Sequence, residues 1–429
     1  MSWLYAPSRS RGAALAAMVG VLAITVLAAG CATKKNADTN GAPGAAGGVA
    51  VGPGVTDKVI KLGVLTDRTG PFAGAGIAAE QGRLLYWDKK NAAGGICGRQ
   101  VQFVVKDHGY NPQKAVTAYS QMEGEVLALD ELLGSPEIAA LLPSLQSNQM
   151  LTMAASWSSA LLSNPYVVIS GTTYDIEMIN GIEWLLQQKR LATGDKIGHI
   201  FVEGDYGENA VAGSRAAAKA LGLQLVEQKV KATDTDLTGQ ITALRSADVK
   251  AVLLTTTPPQ TASAVGVAEA AKFTPAFLAS NPAFSPQLLN TAAGAALEKR
   301  LLVATSTAPF SSTAPGPSQV RSAFEAKYAG QPKSSYVMYG YAQGEIMARI
   351  LDTACRANTL TRPGLLTAFQ SLANVQTDGL VAPLDYSKSG RTPARQIYLA
   401  RPDSAAAGGL TQIQDLFATP LASSYQPTG

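Results

Sequence analysis

The feature that most constrains this chain is its rhythm. From Val59 to Ala279, short β-prone runs alternate with longer helical stretches. Strands that alternate with helices must lie parallel, with the helices covering both faces of the sheet. The sharpest junction in the series is Leu132-Leu133-Gly134-Ser135-Pro136-Glu137. Val126–Leu129 predicts a short buried strand upstream, and Ile138–Leu142 predicts the apolar part of a helix downstream. Between them Gly134 permits a sharp turn, Ser135 suits the N-cap and Pro136 the first helical position. Such a helix end carries about +0.5 of a charge and offers free N–H groups. In a parallel sheet it lies at the carboxyl edge of the strands, where ligands bind. The alternative is that Ser135 only caps its helix.

Around that junction the pattern predicts strands at Val59–Leu65, Gln100–Lys106, Met150–Ala154 and Tyr166–Ile169, followed by Lys196–Val202, Gln224–Val230, Ala251–Thr255 and Ala276–Ala279. Beyond Leu301 the rhythm changes. A strand at Leu301–Thr305 precedes helices at Ser318–Tyr328, Tyr336–Ala357 and Pro363–Leu372. Short strands are expected near Leu380–Leu384 and Gln396–Ala400.

Residues 1–31 read as an export signal. Arg9 and Arg11 are followed by the uncharged apolar stretch Ala13–Ala29, then by small residues and Cys31. Small residues before a cysteine resemble the bacterial lipobox, in which the cysteine takes lipid. Leu27 stands one place further from Cys31 than the usual lipobox leucine. An uncleaved membrane anchor is the alternative reading, and either one places the body outside the cytoplasm. Residues 32–56, rich in Gly, Ala, Pro and Asn, are expected to be a flexible tether.

Composition narrows the class further. With 46% hydrophobic and 15% charged residues the chain is a well-packed globular protein. Its formal charge is +4, and without Arg9 and Arg11 it is +2; no Lys/Arg cluster suggests nucleic acid. Three cysteines are present, and if Cys31 is lipidated, Cys97 and Cys355 remain as one pair in an oxidising compartment.

Motifs for phosphate cradles, nucleophile elbows and zinc proteases are missing, so neither catalysis nor a metal or cofactor is expected. His108 beside Asp107 reads as solvated or structural, and Asp234 and Asp236 as helix-start carboxylates. Hydroxyls and aromatics recur at strand ends instead: Ser135, Ser156-Trp157-Ser158, Tyr174, Tyr206 and Thr257. That inventory suits holding a small ligand by hydrogen bonds and stacking.

Val64–Gly76 with its Thr69-Gly70-Pro71-Phe72, Asn91-Ala92-Ala93-Gly94-Gly95-Ile96, Asn111-Pro112-Gln113-Lys114-Ala115-Val116 and Asp205-Tyr206-Gly207-Glu208 resemble the periplasmic leucine/isoleucine/valine-binding proteins. The resemblance runs from about Asp57 to the C-terminus. It implies an α/β type I periplasmic binding protein fold: two Rossmann-like lobes with parallel sheets, joined by three crossing strands, with ligand in the cleft. Lobe I would comprise residues 57–172 and 306–388, and lobe II residues 173–305 and 389–429. Hinges are expected near Thr172, Thr305 and Ser387. Family topology places Cys97 and Cys355 in the first lobe, where a disulfide is expected.

The resemblance also implies a ligand carboxylate held at Ser135 and contacts from Ser156, Trp157, Ser158 and Tyr206. The acid that binds a ligand ammonium should fall at Asn281, which is neutral, and a cleft tyrosine is replaced by Ala75. A buried ammonium without a counter-charge is costly. An amide, a carboxylate or an aromatic acid stacked on Trp157 therefore fits as well as an α-amino acid or better, unless Asp175 or Glu203 supplies the acid. The implied function is that of a lipid-anchored, monomeric solute-binding protein serving the permease subunits of an ABC importer. Alternatives are a ligand-sensing receptor of the same fold and, more remotely, an envelope enzyme.

Overall fold

A computed structural model of the chain describes residues 44–46 and 48–427. The expected signal, 1–31, with Cys31, and the tether up to residue 43 lie outside the described residues.

The strands in chain order are β1 (Gly44–Ala46), β2 (Val49–Val51), β3 (Val59–Thr66), β4 (Gln100–Asp107), β5 (Leu129–Leu133), β6 (Thr152–Ala155), β7 (Val167–Ile169), β8 (Lys196–Val202), β9 (Gln224–Val230), β10 (Ala251–Thr255), β11 (Ala276–Ser280), β12 (Leu301–Thr305), β13 (Thr359–Leu360), β14 (Ile397–Pro402) and β15 (Leu410–Phe417). The helices are α1 (Ala73–Ala92), α2 (Pro112–Ser120), α3 (Ser135–Ser147), α4 (Tyr174–Gln187), α5 (Asp205–Leu221), α6 (Thr238–Ser246), α7 (Pro258–Ala270), α8 (Gly294–Arg300), α9 (Pro315–Lys327), α10 (Ser335–Arg356), α11 (Arg362–Gln370) and α12 (Pro420–Ser424).

Two large sheets organise these elements. The first, in the order β4-β3-β5-β6-β7, is wholly parallel. The second, β15-β14-β12-β11-β10-β8-β9, is parallel except at β14 and β15. The first lobe is closed by α10, which lies against α1 at very short range. A Cβ on Gly82 would overlap the Val337 carbonyl, and one on Gly340 would overlap that of Ala79. Cys97, in the loop before β4, is disulfide-bonded to Cys355 near the end of α10, with a Cα–Cα distance of 6.2 Å.

Several expectations need correction. The tether ends earlier than Asp57, because β1 pairs with β2 and β2 pairs with β13. Val49 is buried there, so this Gly-rich stretch contains enough apolar surface to dock on the lobe. The strand expected at Val126–Leu129 is β5, shifted to Leu129–Leu133, with Asp130 and Glu131 in its middle. Those two acids disguise a fully buried strand, and they are tolerated because Arg83 reaches both, with its Nε 3.0 Å from Asp130. Leu380–Leu384 forms bridges, not a strand, because Val381 donates locally to the Thr377 hydroxyl (3.1 Å). The edge strand β15, half exposed and polar, is an addition.

The connections between the sheets run side by side. The Thr172 N–H donates to the Ser306 hydroxyl at 3.2 Å, and the Thr172 hydroxyl donates to the Gln396 carbonyl at 2.6 Å. Thr172 also pairs with Ala394. The third connection therefore meets the other two at Ala394–Gln396. Ser387, expected there, lies in an exposed turn with its hydroxyl on Asp385 (2.6 Å).

Candidate ligand-binding cleft

The cleft is built where β5 and β6 end and where α1, α3, α4, α5 and α10 begin. At the α3 start the cap is Gly134, with φ of +105°, so Ser135 and Pro136 are the first two helical residues. This corrects the expected N-cap. Only glycine adopts that left-handed turn without strain, and the turn frees Ser135 to face β6. Its hydroxyl lies 2.6 Å from that of Ser156.

The same turn brings an acid into the cleft wall. A Cβ on Gly134 would collide with the Glu137 carboxylate, which folds back over the helix end. Glu137 is buried and neither oxygen has a partner. Burial pushes its carboxyl up to about 7, its own backbone N–H opposes the shift, and nearby Asp67 adds to it. The helix end expected to receive a ligand carboxylate thus already faces one from the chain.

Aromatic rings make most of the surface. Trp157 meets Tyr339 edge-on, with centroids 5.7 Å apart, and Tyr174 at 6.5 Å. Tyr174 meets Tyr206 at 4.8 Å, and Phe72 meets Tyr110 at 4.8 Å. They enclose a cavity of about 60 Å³, whose lining includes Ser135 and Asn281 but, among the described residues, no Lys, Arg, Asp or Glu. The buried Trp157 indole N–H has no acceptor.

The Tyr339 ring is fixed from behind. Its hydroxyl donates to the Ala154 carbonyl (3.3 Å) and accepts from Gln343, whose own oxygen is 3.4 Å from Arg83. Arg83 is the centre of the buried cluster with Asp130 and Glu131, and Asp130 accepts from the Trp87 indole (3.2 Å). Burial raises Asp130 to about 6, although Arg83 pulls it down. His108 is buried and takes the Tyr110 N–H at 3.1 Å, so its part is structural; desolvation holds its pKa down.

The opposite wall is plainer. Tyr206 hydrogen-bonds Ser280, and the Asn281 side-chain oxygen accepts from the Thr305 hydroxyl at 3.1 Å. Behind Asn281 lies Glu177, fully buried, with no partner for either oxygen. Desolvation drives its pKa well above its ordinary value, and the nearby Asn281 backbone N–H opposes the shift. Neither acid named from the sequence stands in that place. Asp175 accepts from its own helix start (2.8 Å at Ile176), and Glu203 is exposed.

Of the residues expected in the site, Ser135, Trp157, Tyr174, Tyr206 and Asn281 line the cavity, and Ser156 touches it through Ser135. Ser158 and Thr257 do not line it. The Ser158 hydroxyl is buried outside the lining, and Thr257 is the N-cap of α7, its N–H on the Gln260 side-chain oxygen (2.9 Å). Sequence reading missed Phe72, Tyr110, Tyr336 and Tyr339. The first two sit in loops after strands and were open to the strand-end rule. The tyrosines of α10 come from a distant part of the chain and gave no local signal.

Residues 59–408 match the family model described as periplasmic binding protein. The chain is 42% identical to a solved fatty acid ABC transporter substrate-binding protein from Thermomonospora curvata, covering 88% of this chain and 97% of that one, with a TM-score of 0.86. A branched chain amino acid ABC transporter from Thermus thermophilus with bound valine superposes with a TM-score of 0.75 at 21% identity, covering 87% of this chain and 99% of that one. The Leu/Ile/Val-binding protein homolog 8 of Brucella abortus is 26% identical over 320 residues, 68% of this chain and 76% of the relative.

Proposed function

The chain belongs to the periplasmic binding protein family, whose members bind solutes and are not enzymes, and from that premise we propose that it delivers a small apolar monocarboxylic acid to an ABC importer. The observation that carries this reading is the cavity lining: aromatic rings and neutral donors, with no charged side chain among the described residues. An apolar body gains by burial against the rings. An acceptor head finds the Ser135 and Ser156 hydroxyls and the unpaired Trp157 N–H. Glu137, with its carboxyl pushed up to about 7, can be protonated beside an incoming carboxylate and so avoid like-charge repulsion. The fatty acid named for the Thermomonospora curvata relative agrees with this chemistry.

The lobes would close about the connections at Thr172, Thr305–Ser306 and Ala394–Gln396. The export signal and Cys31 support a lipid anchor on the outer face of the cytoplasmic membrane.

One observation favours a second reading, an α-amino acid. Glu177 lies just behind Asn281, where a ligand ammonium would be sought. Pairing with an ammonium needs Glu177 ionised, and its burial disfavours the charged form. A thermal-shift screen of the mature domain decides between the readings, because a bound ligand raises stability by mass action. Monocarboxylic acids should raise the Tm and amino acids should not; the reverse order would reject the acid reading.

A further inference from the structure

We propose that a second chamber, continuous with the aromatic cavity, holds the hydrocarbon tail of an extended ligand, so that the protein selects straight-chain acids by length. This rests on the acid reading above.

The inner cavity is too small to be the whole site. Its volume of about 60 Å³ has room for on the order of five water-sized groups, a carboxyl and the first few carbons. Anything longer must leave it. The way out is marked by Phe72, Ala75, Pro282 and Tyr336, which line both spaces. Ala75, where the resemblance calls for a tyrosine, leaves this passage wide. Beyond it the outer chamber is about 310 Å³.

The chemistry of that chamber suits hydrocarbon. Among its described lining residues none is charged, and Phe284 and Leu288 present apolar side chains. Pro71, Pro258, Pro259 and Pro282 also line it. Proline carries no backbone N–H, so these stretches offer methylene surface with no donor left waiting for a partner. The polar groups present are neutral, and Ser285 and Gln287 already hydrogen-bond each other. Both lobes contribute, Pro71 from the first and Leu288 from the second, so a tail lying there would bridge the closed form.

Gly74 gives a way to close the chamber alone. It sits in the first turn of α1, and a Cβ there would meet only the Gln287 side chain, at 3.7 Å or more. Gly74→Phe should therefore fill the outer chamber without touching the inner cavity. Pro259→Asp is an independent variant: residue 259 is exposed, and an acid in the first turn of α7 suits the helix while placing a charge beside the tail.

The experiment is calorimetric titration of the mature protein with butanoic, hexanoic, octanoic and decanoic acids. In the native protein affinity should rise a few-fold per added methylene. Gly74→Phe should leave butanoic acid within twofold and abolish the rise beyond it, and Pro259→Asp should flatten it. If decanoic acid binds no tighter than butanoic acid, or if folded forms of both variants keep the native length dependence, the chamber is only the mouth of the cleft and the proposal is wrong. Binding of none of the acids would overturn the functional reading and this inference together, whereas binding of the short acids alone would overturn only this one.

Discussion

The two walls of the cleft each bury an acid in the first turns of a helix, yet they are built differently. On the first wall Glu137 stands at the edge of a framework tied together by ionic and covalent links. Arg83 with Asp130 and Glu131 fixes Gln343 and Tyr339 from behind, and the disulfide ties α10 to the loop before β4. On the second wall Glu177 has no charged partner, and hydroxyls with one amide do the positioning. The first wall presents donors on a rigid frame, and its acid titrates near neutrality. The second presents the Tyr174 and Tyr206 rings, and burial pushes its acid well above the ordinary value. On the proposed reading, the ligand's polar end belongs on the wall whose donors are held in place.

The largest expected effect breaks the frame of the first wall. Replacing Cys97 and Cys355 by serine should lower stability by up to about 5 kcal/mol, because the bond closes a loop with a sequence separation of 258. Urea unfolding of oxidised protein and variant measures it, and equal midpoints would show that α10 is held without the bond. Arg83→Met should cost roughly 3–5 kcal/mol by leaving Asp130 and Glu131 buried and unpaired. Its loss of ligand affinity should exceed that of any change at Asn281, since Tyr339 loses its support.

A smaller, pH-dependent effect sharpens the contrast between the acids. The folded protein binds the Glu137 proton more tightly than the unfolded chain does. Its contribution is therefore fully present below the ordinary value of 4.5 and is lost as pH rises through about 7. Glu137→Gln should be more stable than the native protein at pH 8 by on the order of 3 kcal/mol and should show no such gain near pH 4. A gain that does not vary with pH would mean the carboxyl is not the titrating group. Smallest is Ser135→Ala, expected to weaken acid binding by about 1–3 kcal/mol while leaving the fold intact. Unchanged affinity by calorimetry would remove Ser135 from the site.

The fold was largely legible in the sequence, because alternating strands and helices leave few ways to build a sheet. The misreadings have physical causes. β5 is displaced because Asp130 and Glu131 look like surface residues until Arg83, far away in sequence, pairs with both. The paired strands β1 and β2 have the composition of a linker, while β13, the partner of β2, lies in a remote segment. In the site, residues at strand ends were found because a parallel sheet always presents them at one edge. Tyr336 and Tyr339 were not, because only the packing of α10 on α1 brings them there. Asn281 lines the cavity, but Glu177, the fourth residue of α4 and behind it, could not be foreseen from spacing.

The central claim is that the cleft takes an apolar ligand with an acceptor head and no ammonium. Its most direct test is paired calorimetric titration at pH 6.5 with leucine and with 4-methylpentanoic acid, which differ only in the ammonium group. The acid should bind at least tenfold more tightly. Leucine binding equally well or better would contradict the claim and assign Glu177 the counter-charge.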